Sequence, residues 1–145
     1  MNSENDINRF LEAQDQSWEG NYSQALAEVL AGQKVTHWIW YIFPQLRGLG
    51  RSGHSHFYGI ADLSEAERYL QHPVLGKRLR EISDAMLTHK TKTAVEILGG
   101  IDAKKVCSSM TLFDAISPND VFNKVLATFY QGKRCYKTLI CIGKL

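Results

Sequence analysis

A chain of 145 residues with 44% hydrophobic and 22% charged residues can bury a core without disulfides or metals, and its length predicts one domain over residues 1–145. Its formal charge of +2 is too small to favour a nucleic-acid partner, and no run of 18 apolar residues suggests a membrane-spanning helix. The polar start MNSENDINRF has no apolar signal-peptide core, so we expect a cytoplasmic protein without a membrane partner.

Helical spacing of apolar residues runs through the first part of the chain. Residues 6–17 predict a helix that begins near Asp6, and residues 22–31 predict a second helix that ends at Gly32. Residues 36–43, THWIWYIF, are apolar on nearly every side, which predicts a short helix in the centre of the fold. Their β-branched and aromatic side chains leave a strand as the alternative.

The second half of the chain continues the helical pattern. Ser64 and Glu67 form a capping-box pattern, and Pro73 opens a helix over 73–89 with one apolar face. Further helices are predicted from Thr91 or Thr93 to 99–100, from Asp102 to 113, from 117–118 to Gly132, and over 135–142. The apolar positions expected to face inward are Leu75, Leu79, Ile82 and Met86, followed by Val121, Phe122, Val125, Leu126 and Phe129. The predicted fold is all-α, a compact bundle of six to nine helices with one long irregular glycine-rich loop.

His37 is set in the most aromatic part of the sequence, directly before Trp38. If residues 36–43 are buried, both ring nitrogens of His37 need partners. The ring could be a core histidine bonded to a backbone carbonyl, or a general base or ligand contact in a pocket.

The glycine-rich stretch that follows is the main irregular segment. Residues 48–53 match G-x-G-x-x-G, but no strand precedes them and no helix start is expected inside them, so a dinucleotide-binding loop is rejected. Converging backbone N–H groups with Arg47 and Arg51 would suit a small anionic or nucleotide-like ligand, and a solvated loop is the alternative. His54 and His56 lack a nearby third ligand, so no metal site is predicted, and HFYGI (56–60) could be a strand or irregular.

Three hydroxyl side chains lie among apolar residues in the predicted helix near residue 110. Ser108, Ser109 and Thr111 suggest an inward polar patch, either bonded back to the preceding turn or lining a pocket with His37. No G-x-S-x-G motif is present, so a serine hydrolase of the α/β type is excluded. The three cysteines lack C-x-x-C spacing and are expected to be reduced structural thiols.

Several runs of the sequence are specific enough to carry a resemblance. They are RFLEAQ (9–14), HWIWYIFPQLRGLGRS (37–52), YLQHPVLGKRL (69–79) and SSMTLF (108–113), together with Ser55, Tyr58, Ile60, Gly132 and Thr138-Leu139. The chain resembles the uncharacterised bacterial family catalogued as domain of unknown function 1810, whose members often carry the mistaken name calpastatin. The resemblance implies a compact helical fold and no particular activity. Cys135 stands where the family pattern favours an aspartate.

Two functional hypotheses follow from these residues. The first is a small-molecule pocket, with or without enzymatic activity, with His37, Ser108 and Ser109 as catalytic candidates and no cofactor. Its ligand-binding candidates are Trp38, Gln45, Arg47, Arg51, Ser52, Tyr58 and Thr111. The pocket hypothesis predicts that His37, Gln45 and at least one of the three hydroxyls meet across one concavity. The second hypothesis is a helical protein-interaction module, in which these residues are only core. Neither hypothesis specifies an oligomeric state.

Overall fold

The computed structural model describes residues 6–144, which form ten helices and no strand, so the predicted all-α class is confirmed. The helices are α1 (Asn8–Gln16), α2 (Tyr22–Ala31), α3 (Ile39–Ile42), α4 (Gly53–Phe57), α5 (Leu63–Gln71), α6 (Leu75–Leu87), α7 (Ala94–Leu98), α8 (Gly100–Ile116), α9 (Val121–Tyr130) and α10 (Tyr136–Cys141). One more helix is present than the six to nine expected. None of the helices in this described part of the chain is long and apolar enough to cross a membrane.

The core lies where α9 packs on both α6 and α8, with α2 and α5 against α6. The predicted apolar face of α6 is buried, and so is that of α9. Helix α8 is buried along most of its length, which explains why it has no clear polar face. Burial of these faces is what specifies the arrangement, since apolar area removed from water is the main stabilising term in folding.

The aromatic segment is central but less helical than predicted. Helix α3 covers only Ile39–Ile42, while Trp38, Tyr41 and Phe43 are almost completely buried. The carboxylate of Glu28 accepts hydrogen bonds from the backbone N–H groups of Val35 and Thr36, the Thr36 hydroxyl and Trp38 Nε1, at 2.7–3.0 Å. These bonds hold the chain in a bend before α3, so residues 36–38 do not join the helix.

Three helix starts differ from the predicted ones. Helix α5 is capped by Asp62 rather than Ser64, α8 begins after Gly99 rather than at Asp102, and α9 is capped by Asp120 rather than opened at 117–118. The Asp62 side chain accepts from the Glu65 N–H at 2.9 Å. This earlier start turns Glu65 inward, which matters for the candidate site.

The glycine-rich stretch contains a helix that the sequence analysis excluded. Ser52 accepts a hydrogen bond from the Ser55 N–H at 3.0 Å and caps the short helix α4. A side chain at Gly50 would collide with Ser55, so the loop can pack this closely only with glycine there. HFYGI forms no strand within the described residues, and its only β-type contact is an isolated parallel bridge between Leu46 and Ile60.

Candidate functional site

A buried arginine fixes the position of the segment that follows α4. Arg9 of α1 forms a bidentate pair with the Glu65 carboxylate, at 2.9 and 3.0 Å. Its remaining N–H groups donate to the backbone carbonyls of Asp6, Phe57 and Gly59, at 2.7–2.8 Å. All five donors of the guanidinium are therefore used. Arg9 ties α1, the 57–59 segment and α5 into one rigid unit.

Burial alone would raise the pKa of Glu65, but the Arg9 hydrogen bonds and the Ala61 N–H outweigh it and lower that pKa. Glu65 therefore remains a carboxylate at neutral pH. The pair is almost completely removed from water, and both partners have additional hydrogen bonds, which is the condition under which a buried ion pair is tolerated.

A cleft of about 500 Å³ lies beside this unit, between the end of α1 and α4. Its lining combines aromatic, acidic and small side chains: Arg9, Glu12, Ala13, Gln16, Ser17, Trp18, Glu19, Phe57 and Tyr58. Trp18 is 91% exposed, which is unusual for the largest apolar side chain. Among the described residues that line the cleft, Arg9 is the basic one, and its donors are all occupied. The cleft therefore presents negative charge and aromatic surface.

Tyr58 forms the inner wall of the cleft. Its ring packs on Tyr41 at 5.2 Å between centroids and edge-to-face on Phe57 at 4.8 Å. Burial raises the pKa of Tyr58, and the negative charges of Glu19 and Glu12 raise it further. The phenol therefore remains protonated and can donate a hydrogen bond to a group in the cleft.

Glu19 joins the cleft to the glycine-rich segment. Its carboxylate lies 2.9 Å from His54 Nε2, and its backbone carbonyl accepts from the His37 N–H at 3.0 Å. The His54 ring packs at a tilt against Trp40, at 4.6 Å between centroids, and Lys105 Nζ lies 5.3 Å from the centroid of the same indole. A carboxylate-oriented imidazole at a cleft edge is an arrangement that can move protons.

The prediction that His37 is buried is wrong. Its side chain is exposed, because residues 36–37 form a bend rather than the first turn of a central helix. An exposed imidazole needs no protein partner for its nitrogens. The physical argument that made His37 a candidate base therefore does not apply, although it lies next to Glu19.

The three hydroxyls of α8 are buried as predicted, but Ser108 and Thr111 bond to α10 and to the residue before it rather than lining a pocket with His37. Ser108 Oγ lies 2.9 Å from Thr138 Oγ1, and the Thr111 hydroxyl donates to the Cys107 carbonyl at 2.8 Å. Thr111 therefore bonds back to the preceding turn of its own helix, which was the alternative to lining a pocket. Ser109 Oγ has no hydrogen-bond partner within the described residues. No hydrogen bond in this part of the chain connects the three hydroxyls to His37 or Gln45.

The other predicted ligand residues lie outside the α1–α4 cleft. Trp38 is completely buried and donates to Glu28, which leaves it no surface for a ligand. The backbone carbonyl of Gln45 accepts from the Ile60 N–H at 2.9 Å, and Arg47 Nε donates to the backbone carbonyl of His56 at 3.0 Å. Arg51 is exposed on the loop. None of these residues lines the α1–α4 cleft, so Tyr58 is the one predicted ligand residue found there.

Sequence reasoning missed Arg9, Glu12, Trp18 and Glu19. The RFLEAQ run contained the signal for the first two, since an arginine inside an otherwise apolar helix face is a candidate buried cation. Trp18 and Glu19 lie in a short connection with no motif. Within the described residues, no three His, Cys, Asp or Glu side chains are placed to hold a metal ion.

Comparison with known proteins agrees with the architecture. The structure is similar to the crystal structure of the conserved hypothetical protein Rv1873 from Mycobacterium tuberculosis, with a TM-score of 0.90 and 40% identity over 95% of this chain and 96% of that chain. No curated protein matches the chain. The family model described as "Protein of unknown function (DUF1810)" matches residues 4–142. The match covers nearly the whole sequence, and the chain therefore belongs to the DUF1810 family.

Proposed function

We propose that the protein binds a small organic cation, such as an amine or a quaternary ammonium compound, in the cleft between α1 and α4. The observation that carries the proposal is the placement of Tyr58, whose phenol lies in the field of Glu12 and Glu19 inside an aromatic-walled cleft. Carboxylates attract an ammonium group, and aromatic faces add about 0.5–2 kcal/mol of cation–π attraction.

The rigidity of the wall supports the same proposal. Tyr58 is held by Phe57 and Gly59 on either side, whose carbonyls both bind Arg9. A wall that is already in place loses little conformational freedom when a ligand enters, so more of the contact energy appears as affinity. Trp18, at the open edge, could close over an aromatic or methylated ligand.

The proposed ligand is positively charged, whereas the sequence suggested an anionic or nucleotide-like ligand. That suggestion relied on Arg47 and Arg51, which lie on the glycine-rich loop outside the cleft. An anion at that loop is the alternative for the ligand-binding hypothesis. If the protein is also an enzyme, the Glu19–His54 pair is better placed than His37 for proton transfer, because its imidazole is oriented by a carboxylate.

Thermal unfolding with added ligands tests the proposal. Choline, putrescine and tetramethylammonium, compared with sodium chloride at equal ionic strength, should raise the melting temperature, because a ligand that binds only the folded state stabilises it. ATP and AMP should have no such effect. The rise should shrink in Tyr58→Phe and Glu19→Gln and persist in Glu67→Gln, an exposed acidic residue of α5 outside the cleft.

Two other outcomes would contradict the proposal. A rise with nucleotides but not amines would place an anion at the arginine-bearing loop. No rise with either class would favour the protein-interaction module, a second candidate supported by the 91% exposure of Trp18. In that case Trp18→Ala should weaken association with a protein partner and leave the melting temperature unchanged.

A further inference from the structure

A second groove, of about 550 Å³, lies between α7, α8, α9 and the start of α10. Most of its lining is apolar, including Ala94, Ala103 and Phe129, but two lining side chains are thiols. They are Cys107 on α8 and Cys135, directly before α10, and both are half-buried and in no disulfide. Two nucleophilic side chains in one groove are a feature that the cation proposal does not use.

One hydroxyl group holds the backbones of the two cysteines together. Thr111 Oγ1 donates to the Cys107 carbonyl at 2.8 Å and accepts from the Cys135 N–H at 2.9 Å. Thr111 is itself buried, so water does not compete for these bonds. This bridge places the chain before α10 next to α8 at the level of the two thiols.

The Cys107 side chain points toward the chain segment that carries Cys135. Its Sγ lies 3.7 Å from the carbonyl oxygen of Lys133, two residues before Cys135. Residues 133–135 lie outside α9 and α10, so this segment can shift without breaking a helix. A disulfide requires the two Cα atoms to come within about 4.4–6.8 Å of each other. A short movement of a non-helical segment is the kind of adjustment that can satisfy this requirement.

We propose that Cys107 and Cys135 form a redox-sensitive thiol pair that closes to a disulfide when a hydroperoxide enters the apolar groove. The thiolate of Cys135 attacks one peroxide oxygen, the O–O bond breaks, and the departing oxygen leaves as water or an alcohol after taking up a proton. Cys135 becomes a sulfenic acid. The Cys107 sulfur then attacks the sulfenic sulfur, the S–O bond breaks, and the Cys107 proton leaves with the hydroxyl group as water. The peroxide gains two electrons and the thiol pair loses two.

The order of the two thiols follows from their surroundings. Burial raises the pKa of Cys107, and the neighbouring Cys135 thiol adds to this effect, so Cys107 is seldom a thiolate. The thiolate is the form that attacks peroxide, and the Cys107 thiol also donates its proton to the Lys133 carbonyl, so we assign Cys107 to the second step. The resulting bond would connect α8 covalently to the start of α10 and change the wall of the groove.

Intact-protein mass spectrometry after treatment with hydrogen peroxide tests the proposal. The folded wild-type protein should lose the mass of two hydrogen atoms, and dithiothreitol should restore them. The loss should be abolished in Cys107→Ser and in Cys135→Ser. It should persist in Cys141→Ser, the matched control, because Cys141 lines a different cleft with Leu46. Peptide mapping should recover one peptide pair joined through Cys107 and Cys135.

Trapping with dimedone in the Cys107→Ser variant should label Cys135, since the resolving thiol is then missing. Circular dichroism on each variant checks that the fold is retained, and serine at these half-buried positions is a small change. A disulfide that includes Cys141, a covalent dimer, or a mass gain of oxygen with no loss of hydrogen in the wild-type protein would overturn the proposal. An unlabelled Cys135 would overturn its assignment as the first thiol.

Discussion

Replacing Glu65 with glutamine would leave the Arg9 guanidinium buried without its counter-charge. Glutamine retains one oxygen acceptor, but its amide NH₂ would face an Arg9 N–H donor that now bonds to the second carboxylate oxygen. Removing one partner of a buried pair costs about 3–5 kcal/mol, because the remaining charge is uncompensated. For a domain of this size each kcal/mol corresponds to about 2–4 °C, so Glu65→Gln should lower the melting temperature by about 10 °C.

Chemical denaturation followed by circular dichroism would measure this loss, with the denaturation midpoint shifted at constant slope. Glu67→Gln on the same helix is the control, and its exposed side chain predicts a change within about 0.5 kcal/mol. The double variant Arg9→Met/Glu65→Leu should recover only part of the loss, since the carbonyls of Phe57 and Gly59 would lose their donor. A loss below about 1 kcal/mol for Glu65→Gln would refute the idea that this pair organises the site.

Three further predictions concern stability. Leu79→Ala should cost about 2–5 kcal/mol in chemical denaturation because its side chain is fully packed in the core, and a loss under about 1 kcal/mol would mean that this face of α6 is misassigned. Burial would raise the pKa of Glu28, but hydrogen bonds from Thr36, Val35 and Trp38 outweigh it and lower that pKa. Glu28 therefore stabilises the fold above its unfolded pKa near 4.5, and this contribution is lost as the pH falls below that value. Glu28→Gln should therefore be less stable than wild type at pH 7 and closer to it at pH 3; an equal difference at both pH values in urea titrations would disprove the role. Ser109→Ala should leave stability unchanged or raise it, because the Ser109 hydroxyl is buried without a partner, whereas Ser108→Ala should lower stability by leaving Thr138 unpaired; equal losses in thermal melts would contradict this contrast.

The parts of the fold that local pattern determines could be predicted from the sequence. The apolar stripe of α6 repeats with the helical period, and any compact arrangement must bury it, so Leu75 and Met86 were assigned correctly. The same holds for Gly32, whose left-handed backbone ends α2.

The candidate site depends on contacts between residues far apart in the chain, which local pattern does not report. Arg9 and Glu65 come from different helices, and only the packing of α1 against the following segments reveals that they pair. His37 was misjudged for the converse reason. The residues that follow it are buried, but the Glu28 hydrogen bonds hold a bend at residues 36–37, and the His37 side chain is left at the surface.

The three tryptophans differ in burial, so their fluorescence emission can be told apart. Trp18 is 91% exposed, Trp40 is partly buried beside His54, and Trp38 is sealed in the core. Acrylamide should therefore quench the emission of Trp18 selectively, and the blue-shifted emission of Trp38 should persist until the fold is lost. Because Trp18 stands at the edge of the α1–α4 cleft, a colourless ligand that enters the cleft should protect that indole from the quencher. Unlabelled protein can in this way report both occupancy and unfolding in a single fluorescence titration.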